Sequence, residues 1–332
     1  MDEARVAVTF DVDEAERAAV RETLEPLGGA VFLSDQEVAD RAAALRRAQV
    51  LMSWFPSREL TDDDRGAIGG VRLVQLISAG ADHVDFDSLP PDVLLAGNVG
   101  AFAEPMAEHV LAMSLALAKR LPLNHARLAG GEYPADPATL WLRGGVAGIV
   151  GFGGIGRASA RLLRCVGMRI HALNTSGRTD EDVEFVGGPG DVEAVLRAAD
   201  VLVIAAPLTR HTRGMIGARE LGWMKTAAIL VNVARAAIVD ETALYEHLRS
   251  NPEFSAGIDV WWNEPPRGTP FAPSLPFLEL PNVLGSPHNS GNAPGVQDAA
   301  AGWAARNVAR FLRGEPILGV QRPEDYRASA AR

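Results

Sequence analysis

The stretch Val146-Ala-Gly-Ile-Val150-Gly151-Phe-Gly153-Gly154-Ile155-Gly156 decides the fold. A short apolar strand runs into glycines spaced G-x-G-x-x-G, and a helix follows, which is the context a dinucleotide fingerprint requires. Gly151 permits the tight turn, Gly153 lets the backbone approach a pyrophosphate, and Gly156 lets the helix pack close to the strand. The helix start offers outward-pointing N–H groups to phosphates. Gly151, Gly153, Gly154, Ile155 and Gly156 are therefore the candidate cofactor loop. Glycine also marks ordinary turns, so it is the flanking strand and helix that favour a nucleotide. Ile155, Ala158, Leu162 and Val166 share one face of that helix.

Working outward, the α/β alternation continues. Strands are expected at 146–150, 168–173, 200–205, 227–233 and 255–260, with a last one near 282–285, and helices at 154–166, 191–199 and 240–249. Upstream, 5–10, 48–52 and 73–77 read as strands, 13–27 as a helix, and 103–121 as one long helix followed by a turn-rich connector from Gly130 to Pro137. This pattern predicts two α/β units with parallel sheets. The tail, 297–312, reads as a helix that packs back on the first unit.

A chain of 332 residues suits two domains, and 47% hydrophobic content supplies a sizeable core. The formal charge of -10 disfavours nucleic acid and an anionic membrane surface as partners. Cys165 is the only cysteine, so no internal disulfide forms, and its helical context reads as a small core residue. The N-terminus has no signal-peptide pattern and no apolar run has membrane-spanning length, so a soluble cytoplasmic protein is expected. No His, Cys or carboxylate cluster has metal-ligand spacing, so no metal is expected.

Chemistry concentrates in three later segments: Asn232-Val-Ala-Arg235, Asp259-Val-Trp-Trp-Asn-Glu264-Pro265 and Ser286-Pro-His288. A guanidinium holds a carboxylate by two parallel hydrogen bonds. A histidine exchanges a proton near neutral pH, and a neighbouring carboxylate keeps it charged and oriented. Singly, Arg235 reads as a surface ion-pair residue, Glu264 as a loop carboxylate and His288 as a turn residue; jointly they equip the chain to reduce a 2-keto acid. After the 168–173 strand, the position where NAD enzymes place a carboxylate on the ribose falls on Asn174. With Ser176 and Arg178 nearby to hold a 2′-phosphate, this favours NADP over NAD.

From about Leu73 to the tail the chain resembles the D-isomer-specific 2-hydroxyacid dehydrogenases, of the glyoxylate/hydroxypyruvate reductase kind. The resemblance rests on Ser78-Ala79-Gly80-Ala-Asp82-His83-Val84-Asp85, Ala107-Glu108-His109-Val110, the glycine loop, Ala206-Pro207-Leu208-Thr209-Arg-His-Thr212 and the three segments above. It implies that Arg235 binds the substrate carboxylate and keto oxygen, that His288 protonates that oxygen, and that Glu264 pairs with His288. It further implies cofactor contacts at Pro207, Thr212 and Asp259, the last near the nicotinamide carboxamide, and a substrate-anchoring loop at Ala79 and Gly80. The implied fold is a pair of doubly wound parallel-sheet α/β domains. A flavodoxin-like substrate domain comprises 1–98 and 291–332, a Rossmann domain comprises 99–290, and the active site lies in the cleft between them.

The implied activity is NAD(P)H-dependent reduction of a small 2-keto acid to the D-2-hydroxy acid, by a homodimer built on the long helix and connector. Two alternatives are an NAD(H)-sensing, corepressor-like binding protein and a 3-phosphoglycerate dehydrogenase. The chain departs from the family at Phe102, where an Asn is common, and lacks the lysine that phosphite dehydrogenases place in the 78–80 loop. Trp261 and Trp262 are bulkier than usual and read as packing at the domain junction, and Ala236-Ala237 replaces Gly-Gly after Arg235.

Overall fold

Two parallel sheets, each built from short strands buried on both faces, organise the chain in a computed structural model that describes residues 5–35, 41–135, 139–266 and 268–327. They belong to two units, Met1–Phe102 with Asn292–Arg332, and Ala103–Gly291. The expected boundary after residue 98 moves to Phe102 because Ala101 and Phe102 pack into the first unit's core, and Gly100, at φ 96°, lies against Trp303.

In the first unit β1 (Val6–Val8), β2 (Ala30–Phe32), β3 (Val50–Ser53), β4 (Leu73–Leu76) and β5 (Leu94–Ala96) run parallel in the order β2-β1-β3-β4-β5. This is the flavodoxin-like order. The strand Val320–Gln321 pairs antiparallel with β5. All residues of β1, β3 and β4 are buried, so these strands read as apolar runs and not as alternating ones. Asp13 starts the Glu14–Leu24 helix with a capping box: its carboxylate accepts the Glu16 N–H at 2.8 Å, and Glu16 accepts the Asp13 N–H at 3.0 Å. The Val296–Leu312 helix packs back on this unit as expected, through buried Ala300, Ala301, Ala304, Ala305, Val308 and Ala309.

The second unit carries β6 (Val146–Val150), β7 (Arg169–Leu173), β8 (Phe185–Gly187), β9 (Val201–Ile204), β10 (Ile229–Asn232), β11 (Ser255–Ile258) and β12 (Val283–Gly285), all parallel, in the order β12-β11-β10-β9-β6-β7-β8. Strand order reverses between β6 and β9, the switch point at which such sheets bind ligands beyond their carboxyl ends. Gly151 leaves β6 there, at φ 95°.

Two further expectations change. The 103–121 helix is two helices, Ala103–Ala118 and Leu121–Ala129. Arg120 turns left-handed at φ 49°, and Pro122 in the next first turn has no N–H to continue a ladder. Pro137, the end of the expected connector, lies outside the described residues. Cys165 is exposed, not in the core. The buried face of its helix runs through Gly156, Ser159, Ala160 and Leu163, and a residue two beyond Leu163 points about 200° away.

A β-carbon on Gly151 lies 2.3 Å from the Ala206 N, whereas one on Gly153 meets nothing within 4 Å. Gly151→Ala should therefore lose about 2–5 kcal/mol, from overpacking and a left-handed φ. Gly153→Ala should cost less, about 0.5–1 kcal/mol, as alanine is a poorer N-cap than glycine; chemical denaturation of both variants checks the contrast.

Candidate active site

The glycine loop and the helix after it form the first half of the site. Gly153 caps the Gly154–Cys165 helix, and the space beside it stays open. Gly156 is held close, since a β-carbon there would sit 2.2 Å from the Gly151 O. An open approach to a helix N-terminus, braced by backbone contact behind it, suits the pyrophosphate of a nicotinamide dinucleotide. Gly154 and Ile155 supply the first turn's backbone.

Beyond β7, Asn174 is occupied locally. Its Oδ1 accepts the Ser176 N–H and hydroxyl, both at 3.0 Å, and its Nδ2 donates to the Arg178 O at 2.8 Å. Asn174 thus shapes the turn that presents Arg178, which is exposed. Beyond β9, the Thr212 hydroxyl donates to the Pro207 O at 2.6 Å and accepts the Thr209 N–H at 2.8 Å. Thr212 closes that loop on Pro207.

The second half of the site is built on the carboxyl ends of β10, β11 and β12. After β10, Asn232 Oδ1 accepts the Ala234 N–H, and its Nδ2 donates to the Arg235 O, each at 3.1 Å. This side-chain turn presents half-buried Arg235, whose Nη1 donates to the Ala234 O at 2.8 Å. Ala236 and Ala237 replace glycines without strain, because the only non-glycine residues at positive φ among the described residues are Arg120 and His288.

Glu264 comes from the loop after β11. Its Oε1 accepts the Trp261 N–H at 2.9 Å and its Oε2 meets His288 Nδ1 at 2.7 Å. Burial by itself raises the Glu264 pKa, but the His288 and Trp261 hydrogen bonds and the charges of His288 and Arg235 more than offset it, leaving the group below its ordinary value. Arg235, Glu264 and His288 thus come together in one unit. With Nδ1 engaged by the carboxylate, the other imidazole nitrogen is the one left to act on a substrate.

Asp259, at the end of β11, is fully buried. Its carboxylate accepts the Ser286 hydroxyl at 2.5 Å and the N–H groups of Asn289 and Ser290 at 3.1 Å each, while its O accepts the His288 N–H at 2.8 Å. These bonds outweigh desolvation and lower its pKa. Together they hold the turn in which His288 sits at φ 49°. Sequence reading assigned no role to Ser286 or to His109, whose Nε2 lies 3.0 Å from the Ser286 Oγ. A hydroxyl two residues before His288 was the available signal. Trp261 and Trp262 pack inside the second unit itself: their indole N–H groups donate to the Ser286 O and Val239 O, at 2.9 Å each, and Trp262 stacks on Phe277.

Ala79 and Gly80 lie in the first unit, after β4. The Ser78 hydroxyl donates to the Gly80 O at 3.0 Å, and Gly97 lets the chain pass so close to Ala79 that a β-carbon would sit 2.3 Å from its O. His83 Nε2 meets the Trp54 O at 2.8 Å, tying this loop to the one after β3. Among the described residues no helix is long and apolar enough to cross a membrane, and no cluster of His, Cys, Asp and Glu is arranged to hold a metal ion.

Residues 111–290 match the family described as D-isomer specific 2-hydroxyacid dehydrogenase, NAD binding domain. A glyoxylate reductase of Aeropyrum pernix is 33% identical over 74% of this chain and 74% of its own. A D-3-phosphoglycerate dehydrogenase of Methanocaldococcus jannaschii is 30% identical over 74% of this chain, which spans only 46% of that relative's length, about half. Among solved structures, a D-isomer specific 2-hydroxyacid dehydrogenase from Xanthobacter autotrophicus Py2, in complex with NADPH and MES, superposes with a TM-score of 0.77 at 25% identity, covering 97% of this chain and 98% of its own.

The Asp259 shift carries a pH signature. A carboxylate depressed in the folded state contributes stability above its ordinary value of 3.8, and that contribution is lost as pH falls through the lower folded value. Denaturation of the parent protein should steepen in its pH dependence below about 3.8. Asp259→Asn should flatten that window and cost about 1–3 kcal/mol at neutral pH, from donors left facing an amide.

Proposed function

Because the chain belongs to the D-isomer-specific 2-hydroxyacid dehydrogenase family, we propose that it reduces a small 2-keto acid, of the glyoxylate or hydroxypyruvate kind, to the D-2-hydroxy acid. The observation that carries this is the 2.7 Å pairing of His288 Nδ1 with Glu264 Oε2, within reach of the Arg235 charge.

The nicotinamide dinucleotide that the glycine loop fits supplies the hydride when bound. The remaining work falls to side chains. Arg235 holds the substrate carboxylate and keto oxygen, so its positive charge lies where negative charge develops. His288 delivers a proton to that oxygen from the nitrogen facing away from Glu264. Glu264 fixes the ring's orientation. Backbone N–H groups of Ala79 and Gly80 anchor the substrate carboxylate, and Asp259, Pro207 and Thr212 line the cofactor's path. Ser176 and Arg178, presented by the Asn174 turn, favour NADPH over NADH.

Initial rates of NADPH and NADH oxidation across glyoxylate, hydroxypyruvate, pyruvate and phenylpyruvate test the proposal. His288→Ala should lower kcat about a hundredfold to ten-thousandfold. Arg178→Ala should raise KM for NADPH about tenfold and leave NADH unchanged, the loss expected of one charge-assisted phosphate contact. Tight cofactor binding with no turnover on any keto acid would instead support a nucleotide sensor.

The same reading makes the protein a homodimer. Leu121 and Leu128 on the Leu121–Ala129 helix, Tyr133 on the connector and Trp141 before β6 are exposed, with Tyr133 at 90% and Trp141 at 80%. An apolar group of this kind marks an interaction surface. Light scattering coupled to size exclusion should give a dimer for the parent and a monomer for Leu128→Asp with Trp141→Asp; a monomeric parent would refute it.

A further inference from the structure

We propose that His109 is a positioning residue for His288, acting through the Ser286 hydroxyl and the buried carboxylate of Asp259. The inference rests on the reading of His288 as the proton donor.

The polarity of the network follows from its chemistry. The Ser286 Oγ lies 2.5 Å from Asp259 Oδ1 and 3.0 Å from His109 Nε2. An ionised carboxylate only accepts, so Ser286 spends its single hydrogen on Asp259. The hydroxyl's lone pairs then face His109, whose Nε2 must carry a hydrogen. Donation runs from His109 to Ser286 to Asp259. Neutral His109 is fixed as its Nε2–H tautomer; the opposite tautomer would set two acceptors face to face.

The downstream end of this chain is the His288 turn. Asp259 takes the N–H groups of Asn289 and Ser290 on its carboxylate and that of His288 on its backbone O. A left-handed φ of 49° at a β-carbon-bearing residue is held against a cost of about 1–2 kcal/mol. Such a conformation persists where its surroundings over-determine it. The Ser286 backbone is already fixed, with its N–H on the Ile258 O and its O receiving the Trp261 indole. The hydroxyl is therefore free to orient the carboxylate and is not needed for strand pairing. His109 reaches it from the Ala103–Ala118 helix, which is anchored by buried Ala107, Val110 and Met113. A rigid element thus sets the rotamer of Asp259, and Asp259 sets the turn.

The test combines kinetics with ¹⁵N NMR of the histidine rings, using His109→Leu, Ser286→Ala, Ser286→Thr and the His109→Leu/Ser286→Ala double variant of the full chain. Neutral His109 should give the Nε2–H pattern. His109→Leu and Ser286→Ala should each lower kcat for 2-keto acid roughly tenfold to a hundredfold, as loss of supporting contacts does, with Kd for NAD(P)H within about twofold. Ser286→Thr, which keeps the hydroxyl, should restore kcat, and the double variant should fall no further than the worse single one. An Nδ1–H tautomer, an unchanged kcat in His109→Leu, or cofactor binding lost in step with kcat would overturn the proposal. Should the parent reduce no keto acid, the activity reading fails by itself. The His109 tautomer and the His288 ring shifts in Ser286→Ala then decide the positioning role, and unmoved His288 shifts sink it.

Discussion

A carboxylate taken wholly out of water must be answered by donors, and Asp259 is that constraint in the second unit. Leaving it unanswered costs several kcal/mol, more than a single turn can spare. The sequence after β12 supplies a hydroxyl and successive N–H groups in one short segment, and folding around the carboxylate places His288 where Glu264 meets it. The geometry of His288 is a by-product of solving a solvation problem. The same economy appears in the first unit. There the Glu59 carboxylate accepts the hydroxyls of Thr9 and Ser53 and the N–H groups of Trp54 and Phe55, which pins the loop after β3.

Much of the fold was legible because buried parallel strands are written as apolar runs. β6, β9 and β10 fall inside stretches of Val, Ile and Leu that have few other uses. What stayed hidden were β2, β5 and β8, three residues each, where Ala30-Val-Phe32, Leu94-Leu-Ala96 and Phe185-Val-Gly187 are too short to show a period. They become strands because a neighbour with free backbone groups lies alongside. The break at Arg120 was hidden for another reason: the apolar spacing of 103–121 continues through it, and only Pro122 signals that the backbone cannot.

The site divided along similar lines. Arg235, Glu264 and His288 were legible as a candidate group because an anion holder, a proton-exchanging ring and a carboxylate to pair with it recur in three neighbouring segments, and the His288–Glu264 pairing is one the fold makes. Asn174 was read as a cofactor residue from its place after a strand, yet its own side chain closes the turn and leaves Arg178 as the presented group. Ser286 was passed over because a serine beside a proline looks like loop; its meaning depends on a buried acid 27 residues earlier, a separation no local pattern reveals.

The first unit is finished by residues that follow the second, from Val296 to Gln321. Gln75 and Asn98, both buried, find partners in Asn307 and in the Ala300 O, and the outer edge of β5 is covered by Val320–Gln321. During synthesis at about 5–20 residues per second, β1 to β5 therefore wait, with apolar faces uncovered and the Gln75 Oε1 without its Asn307 donor, while the whole of Ala103–Gly291 is made. That second unit is continuous and can close as soon as it emerges. The nucleotide-binding half is thus expected to mature first on the ribosome, and the N-terminal half to be the portion that most needs shelter from aggregation until residues 296–321 arrive.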